Sequence, residues 1–333
     1  MPPLSRLDRV EAALAGESLD RVPISLWGHD FRREWSAHDL VAATLEQVDR
    51  YGWDYVKITP RVSYCVEDWG ARYLPSGQPD VPTRLAETPI RVASDLENLD
   101  LLRFDRGALE EQLQVVRLIG RALGRGTPYL QTIPAPLVVL DLLVGDRPKL
   151  IEWLESDPRH VRTAIEAIGE TYLAYARETI AAGASGIFFS TGTWASSDTV
   201  AEAVYEEFGA PADRRVLAAV GDARCNVLHL GGSGAYLGLA GGYPVRAICW
   251  AASAAGNPAL DEARDQLKDG SALMGGLPAA LVADGAPADV ERAVREAVER
   301  TDRYRLLIGP EADLPERTPH ENRLAAAEAA RRI

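Results

Sequence analysis

Eight short runs rich in β-branched, aromatic and other apolar residues, separated by helical patterns or long connections, set the tightest limit on what this chain can become. They are "VPISLW" (22–27), "DYVKIT" (54–59), "PYLQTI" (128–133), "SGIFFS" (185–190), "CNVLHL" (225–230), "VRAICW" (245–250), "SALMGG" (271–276) and "YRLLIG" (304–309). Each has the length of a buried strand. Among the intervening helical patterns, Leu7, Val10 and Leu14 step by three and four behind Ser5 and Asp8, a capping-box spacing. Ile165, Ile168, Tyr172 and Tyr175 mark one face of a long helix, and Val290, Val294 and Val298 mark another. Strands that alternate with helices pair in parallel through right-handed crossovers, and eight such units close on themselves. The reading is α/β: a (β/α)8 TIM barrel, one domain over residues 1–333, with chemistry expected at the C-terminal strand ends.

Two connections exceed a bare βα unit. Residues 60–127 contain "YLPSGQPDVPTRLAETPIRV", whose proline and glycine punctuation predicts an excursion over the C-terminal mouth. Residues 134–184 hold two short helical patterns, "PLVVLDLLVG" and "RPKLIEWLES", before the long helix. Long connections in compact domains often serve as lids.

The charge balance narrows the partners. With 36 Lys+Arg against 49 Asp+Glu, the formal charge of −13 offers no basic face for tracking phosphates, so nucleic acid is not an expected partner. No uninterrupted apolar run approaches a membrane span, and "MPPLSRLDRVEAALAG" carries charges where a secretory signal needs an apolar stretch. Three widely spaced cysteines, Cys65, Cys225 and Cys249, suit the reducing cytoplasm better than a disulfide framework.

Several stretches carry a resemblance. "RVEAALAGESLDRVPISLW", "AETPIRVASDLENLD", "NVLHLGGSG", "NPALDEARDQLKDGSALMGGLP", "GAPADVERAVREAVERT" and "LPERTPHENRLAAAEAARR" run in order from about residue 5 to the end. Together they resemble the uroporphyrinogen decarboxylase superfamily, which implies the same (β/α)8 barrel. That superfamily holds the haem-pathway decarboxylase and a branch of corrinoid-linked methyltransferases, and the spacing here is nearer the second branch. The resemblance implies an enzyme of porphyrin-biosynthesis type that decarboxylates a tetrapyrrole-like or aromatic carboxylate, and a homodimer. The alternatives are methyl transfer without zinc, partnered by a corrinoid protein, and a barrel that binds without catalysis.

Signature positions depart from both branches. Of two decarboxylase arginines after the first strand, "LWGHDFRREW" keeps Arg32 and has Gly28 at the other position. The decarboxylase aspartate after the second strand has only Pro60 or Arg61 opposite it. Of the zinc-binding His-x-Cys pair of the methyltransferases, His229 is present with Gly231 in the cysteine's place, and Ala312 stands where the late cysteine belongs. A zinc site needs three or four converging ligands, so no metal is expected. No cofactor is expected either, a corrinoid entering only with methyl transfer.

The strand ends supply the candidate residues. His229, before the glycines of "HLGGSG", is either a substrate-facing acid or base or a core histidine at a strand end. Gly232 and Gly234 could present amide donors to an anion. His29 and Asp30 form an adjacent pair able to move a proton, and Arg32 could hold a carboxylate. Lys57, an ammonium inside an apolar strand, binds an anion or is neutralised by a partner such as Asp54 or Glu67. Gln131 would orient substrate, Trp194 and Trp250 would wall a flat ligand, and Glu311 could place a carboxylate beside the last strand. Cys225 opens its strand and is read as structural, at the barrel bottom.

Overall fold

The structure, a computed structural model, describes residues 3–78, 80–267 and 270–333; Pro79, Lys268 and Asp269, which fall within stretches quoted above, lie outside the described residues. Its strands are β1 Val56–Ile58, β2 Arg72–Leu74, β3 Arg84–Glu87, β4 Tyr129–Pro134, β5 Gly186–Ser190, β6 Val227–Leu230, β7 Ala247–Trp250, β8 Ala272–Leu277 and β9 Leu306–Pro310. Among the described residues, seven of them form a parallel sheet in the order β1-β4-β5-β6-β7-β8-β9, and β2 pairs antiparallel with β3. Helices alternate with the parallel strands, as in a (β/α)8 barrel.

The eighth stave differs from the expectation. "VPISLW" lies where a first strand should, between β9 and β1, but only as an extended segment with a single parallel bridge from Ile24 to Ile308. Ser25 donates its N–H to the Ile308 carbonyl at 3.1 Å, and Ile308 donates to the Pro23 carbonyl at 2.9 Å. On the other side, Asp54 donates its N–H to the Ile24 carbonyl at 2.9 Å. The local chemistry explains the missing ladder. Pro23 has no N–H to give, and the Ile24 N–H is taken by the Asp54 carboxylate at 3.0 Å.

Two apolar clusters separate the inside of the barrel from its wall. Tyr55, Leu130, Phe188, Val227, Ala247, Cys249, Ala272, Met274 and Leu307 point inward, and Val10, Ala13 and Leu14 of the first helix plug the bottom. Ser5 caps that helix by accepting the Asp8 N–H at 3.1 Å, as the spacing predicted. Cys225 joins the inner cluster at the same end, its thiol pushed up to about 12 by burial. The alternate residues of each strand pack outward against the helices, where the stripes Ile165–Tyr175 and Val290–Val298 are buried. Asp54 ties the bottom together by accepting from Arg9 at 2.8 Å and from Arg21 at 2.6 Å.

Residues 60–127 divide between two roles. The β2–β3 hairpin rises as an excursion, while helix Gly107–Leu123 belongs to the outer ring. The hairpin rests on the first of the two helices that follow β4: Tyr73 donates its hydroxyl to the Leu142 carbonyl at 3.0 Å, and Thr88 bonds to the Leu143 carbonyl. Those helices, Pro136–Val144 and Arg147–Ser156, are the two short ones expected from the sequence.

Candidate active site at the barrel mouth

Side-chain alternation selects which residues reach the mouth. On β1 the inward positions are Tyr55, Lys57 and Thr59; on β5, Phe188 and Ser190; on β6, Val227 and His229; beyond β9, Glu311 continues the line of Leu307 and Gly309. Lys57, almost fully buried, donates to Asp313 at 2.8 Å and to the Thr59 hydroxyl at 3.3 Å. Its ammonium also lies 5.0 Å from the centre of the Phe188 ring and 5.9 Å from that of Trp27. These contacts compensate for the desolvation of the charge. Neither partner offered by the sequence is the real one: Asp54 serves Arg9 and Arg21, and Glu67 is held by Arg61.

Asp313 is the hub that the sequence reading missed. Burial works against its carboxylate, but Lys57, aided by His29 and His229, outweighs this and holds its pKa at about 2. His29 Nε2 lies 3.8 Å from Asp313, and His29 Nδ1 is 2.7 Å from Glu34, a fully buried carboxylate. The proton partner of His29 is therefore Glu34 and not Asp30, whose side chain instead accepts the Arg33 N–H at 3.2 Å. His29 stacks on Phe31, with ring centres 5.0 Å apart.

His229 closes the other side. Its ring stacks on Phe188 at 5.2 Å, and Nδ1 is 3.0 Å from the Ser190 hydroxyl. Burial lowers its pKa to about 4; Asp313 opposes that shift, Lys57 adds to it, and a hydrogen bond with the Glu311 main chain opposes it. The imidazole is neutral at pH 7, and burial makes it a weak base. Glu311 is buried beside it and accepts from the Ser253 N–H at 3.2 Å and from the Ser253 hydroxyl. Burial raises the pKa of this carboxyl, and the Ser253 bonds pull the other way.

Other candidates stand elsewhere. Arg32 is exposed and paired with Glu316. Gln131 and Trp250 occupy the outward parity of their strands and are enclosed by the helical layer. Trp250 gives its indole N–H to the Pro258 carbonyl at 2.9 Å, and Trp194, fully buried after β5, gives its own to Asp141 at 3.1 Å. Neither indole walls the mouth; the aromatic faces there are Trp27 and Phe188, with centres 5.8 Å apart.

Three amides of the glycine turn, that of Gly234 among them, are already taken by the protein itself. Ser233 N–H donates to Asp198 at 2.6 Å, Gly234 N–H to the Ala255 carbonyl at 3.1 Å, and Ala235 N–H to Asn257 at 2.7 Å. These amides are not offered to an anion. A zinc centre does not fit either. A Cβ on residue 231 would lie 2.6 Å from the Gly192 carbonyl oxygen, so the turn that presents His229 has no room for a cysteine beside it. Among the described residues, no group of three or more His, Cys, Asp and Glu side chains converges to hold a metal ion.

Comparisons with known proteins agree with this architecture. The family model described as Uroporphyrinogen decarboxylase (URO-D) matches residues 5–333. A solved methyltransferase from Methanosarcina mazei superposes with a TM-score of 0.87 at 18% identity, over 98% of each chain. A B12-independent methionine synthase from Shewanella sp. W3-18-1, in complex with selenomethionine, gives 0.59 at 14% identity, over 89% of this chain and 87% of that one. A putative vitamin-B12 independent methionine synthase from Listeria monocytogenes gives 0.57 at 13% identity, over 89% and 86%. At these identities the solved structures share the fold. No curated protein matches the chain.

Proposed function

The chain belongs to the uroporphyrinogen decarboxylase family, and from that premise we propose that it is an acid–base enzyme that decarboxylates a small aromatic or tetrapyrrole-like carboxylate at the barrel mouth. The observation that supports this most is His29 set between two carboxylates, with Glu34 at one ring nitrogen and Asp313 toward the other. An imidazole so placed can hold a proton and deliver it at the mouth. In the reaction, the bond from ring carbon to carboxylate breaks and CO₂ leaves. The His29 proton is first added to that ring carbon, so the pair released from the breaking bond restores the ring's π system. The imidazole then recovers its proton from water. Trp27 borders the cavity beside His29, and Lys57 keeps Asp313 ionised to orient the imidazole.

Methyl transfer is the second reading, favoured by His229 at the mouth. With its pKa lowered to about 4 the imidazole is a weak base, so it would orient a methyl acceptor by a hydrogen bond rather than take its proton. Because Gly231 excludes a thiolate ligand, this route would run without protein-bound zinc. The two readings part in one experiment. Purified protein is incubated in D₂O with a panel of aromatic and tetrapyrrole carboxylates, and separately with methylcobalamin and a thiol. Release of CO₂ with deuterium on the vacated carbon supports decarboxylation. Demethylation of the corrinoid supports the second reading, and neither result leaves a binding barrel. Three free, buried cysteines fit our proposal of a cytoplasmic protein. Among the described residues, no helix is long and apolar enough to cross a membrane.

A further inference from the structure

The weak eighth stave leaves an opening in the barrel wall. Above the bond from Asp54 to the Ile24 carbonyl, segment 25–28 bonds toward β9 and Leu314, while β1 bonds toward β4; among the described residues, no main-chain bond joins the two. A cavity of about 230 Å³ occupies this place. Its lining begins at the mouth with Trp27, His29 and Lys57 and continues outward to Tyr51, Trp53 and Arg323 under the helices Ala37–Tyr51 and His320–Arg332.

The outer half of this cavity has cationic groups without carboxylate partners. Arg323 donates to the Gln47 side-chain oxygen at 2.9 Å and to the Pro315 carbonyl at 3.4 Å, both neutral acceptors. Among the described residues it has no ion pair, and its Nε has no hydrogen-bond partner. Arg50, exposed at the rim, is also without an ion pair among the described residues. Burial lowers the pKa of Arg323; Tyr51 and Glu316 oppose that shift, and Arg50 adds to it. Two acidic residues line the cavity: Asp30 accepts the Arg33 N–H, and Glu316 is paired with Arg32 through one oxygen, while its other, buried oxygen has no hydrogen-bond partner. In a chain of net charge −13, an arginine left half-desolvated beside a second one runs against the overall balance. A guanidinium has five N–H donors, and two bonds to neutral oxygens leave capacity for an anion.

We propose that this lateral cavity is an oxyanion-binding subsite, in which Arg323, with Arg50 at the rim, takes a carboxylate or phosphate arm of the ligand whose reacting end lies at the mouth. Placement of the reacting end rests on the reading given under Proposed function; anion binding in the cavity does not. A ligand arm entering from the mouth would pass Trp27 and Lys57 through the opening beside β1.

The test uses the full chain with inorganic phosphate and, separately, succinate as probes, followed by calorimetry and, for phosphate, by ³¹P line broadening. The expected result is saturable binding of one anion, weakened about tenfold or more by Arg323→Gln, less by Arg323→Lys, and only a few-fold by Arg50→Gln. Arg72→Gln, on the β2–β3 hairpin and outside the cavity lining, should leave it unchanged. Saturation by phosphate alone assigns the arm as phosphate, and by succinate alone or by both assigns it as carboxylate or as either group. Arg50→Gln sits on the exposed rim, so it keeps the test informative if the Arg323 variants fold poorly. The proposal is overturned if neither anion saturates, or if Arg323→Gln and Arg50→Gln both bind as the wild type does. Loss of binding in Lys57→Met with retention in Arg323→Gln would also overturn it, by moving the anion to the mouth and leaving the mouth reading intact. Binding that follows Arg323 in a protein without activity on any carboxylate would uphold the subsite and count against the reaction.

Discussion

Lys57 on β1 and Asp313 beyond β9 stand 256 residues apart in the chain and 2.8 Å apart in the fold, and their ion pair spans the seam where the barrel closes. Lys57 is enclosed, whereas the Asp313 side chain is 40% exposed. Asp313→Asn would therefore leave an enclosed ammonium without its counter-charge. The expected loss is about 1–3 kcal/mol, less than for a fully enclosed pair because water reaches the carboxylate side. Urea unfolding measures it, and adding Lys57→Met to Asp313→Asn should recover much of the loss. A double variant as weak as the single one would show that the ion pair is not the cause.

His229 gives stability a pH dependence of known sign. Its pKa falls from 6.5 to about 4 on folding, so the unfolded chain binds the proton more readily. The contribution is fully present above pH 6.5 and is lost as pH falls toward about 4. His229→Gln should flatten the stability profile in that window. Equal slopes in thermal melts of the two proteins would refute the assignment.

Asp213 has the opposite sign. It is buried, with Tyr205 and Tyr243 donating to one of its oxygens, and burial raises its pKa from 3.8 to about 7 despite those bonds. Its stabilising, protonated form is fully present below pH 3.8 and is lost as pH rises through about 7. Asp213→Asn cannot ionise, so its stability relative to wild type should rise steadily from pH 4 to pH 8. A pH-independent difference would contradict this.

Gly231→Ala tests the crowding behind His229. The new Cβ meets the Gly192 carbonyl oxygen at 2.6 Å and its carbon at 3.0 Å, backbone atoms that cannot swing aside as a side chain would. A loss of about 1–3 kcal/mol is expected in chemical unfolding. Gly231→Cys should lose as much and should not gain stoichiometric zinc by elemental analysis.

The activity prediction separates the two histidines. If the mouth decarboxylates, His29→Gln should lower kcat by about 10²–10⁴ with KM little changed, because it removes the proton donor. Glu34→Gln should shift the pH profile of kcat, since it alters the group that holds the His29 proton. His229→Gln should act more weakly in that assay and more strongly in methyl transfer.

Much of the architecture is legible in the residues. Seven of the eight runs became parallel strands, because short apolar segments between amphipathic helices have no other economical way to bury both faces. The same cause concealed the site. A strand buried on both faces shows no alternation in its sequence, so nothing in "PYLQTI" or "VRAICW" says that Gln131 and Trp250 face the helices while Leu130 and Cys249 face the axis. Parity becomes visible only when the barrel closes, and it then places Lys57, His229 and Glu311 on the inside together. Asp313 could not be found by spacing, because it lies on a loop after β9 and its importance comes from charges on β1 and after the first stave. The sequence by itself determined the barrel and the need of Lys57 for a partner. Which partner it has, that His29 also faces Asp313 and where the wall stays open were decided by tertiary structure, since each depends on chain closure between segments more than 200 residues apart.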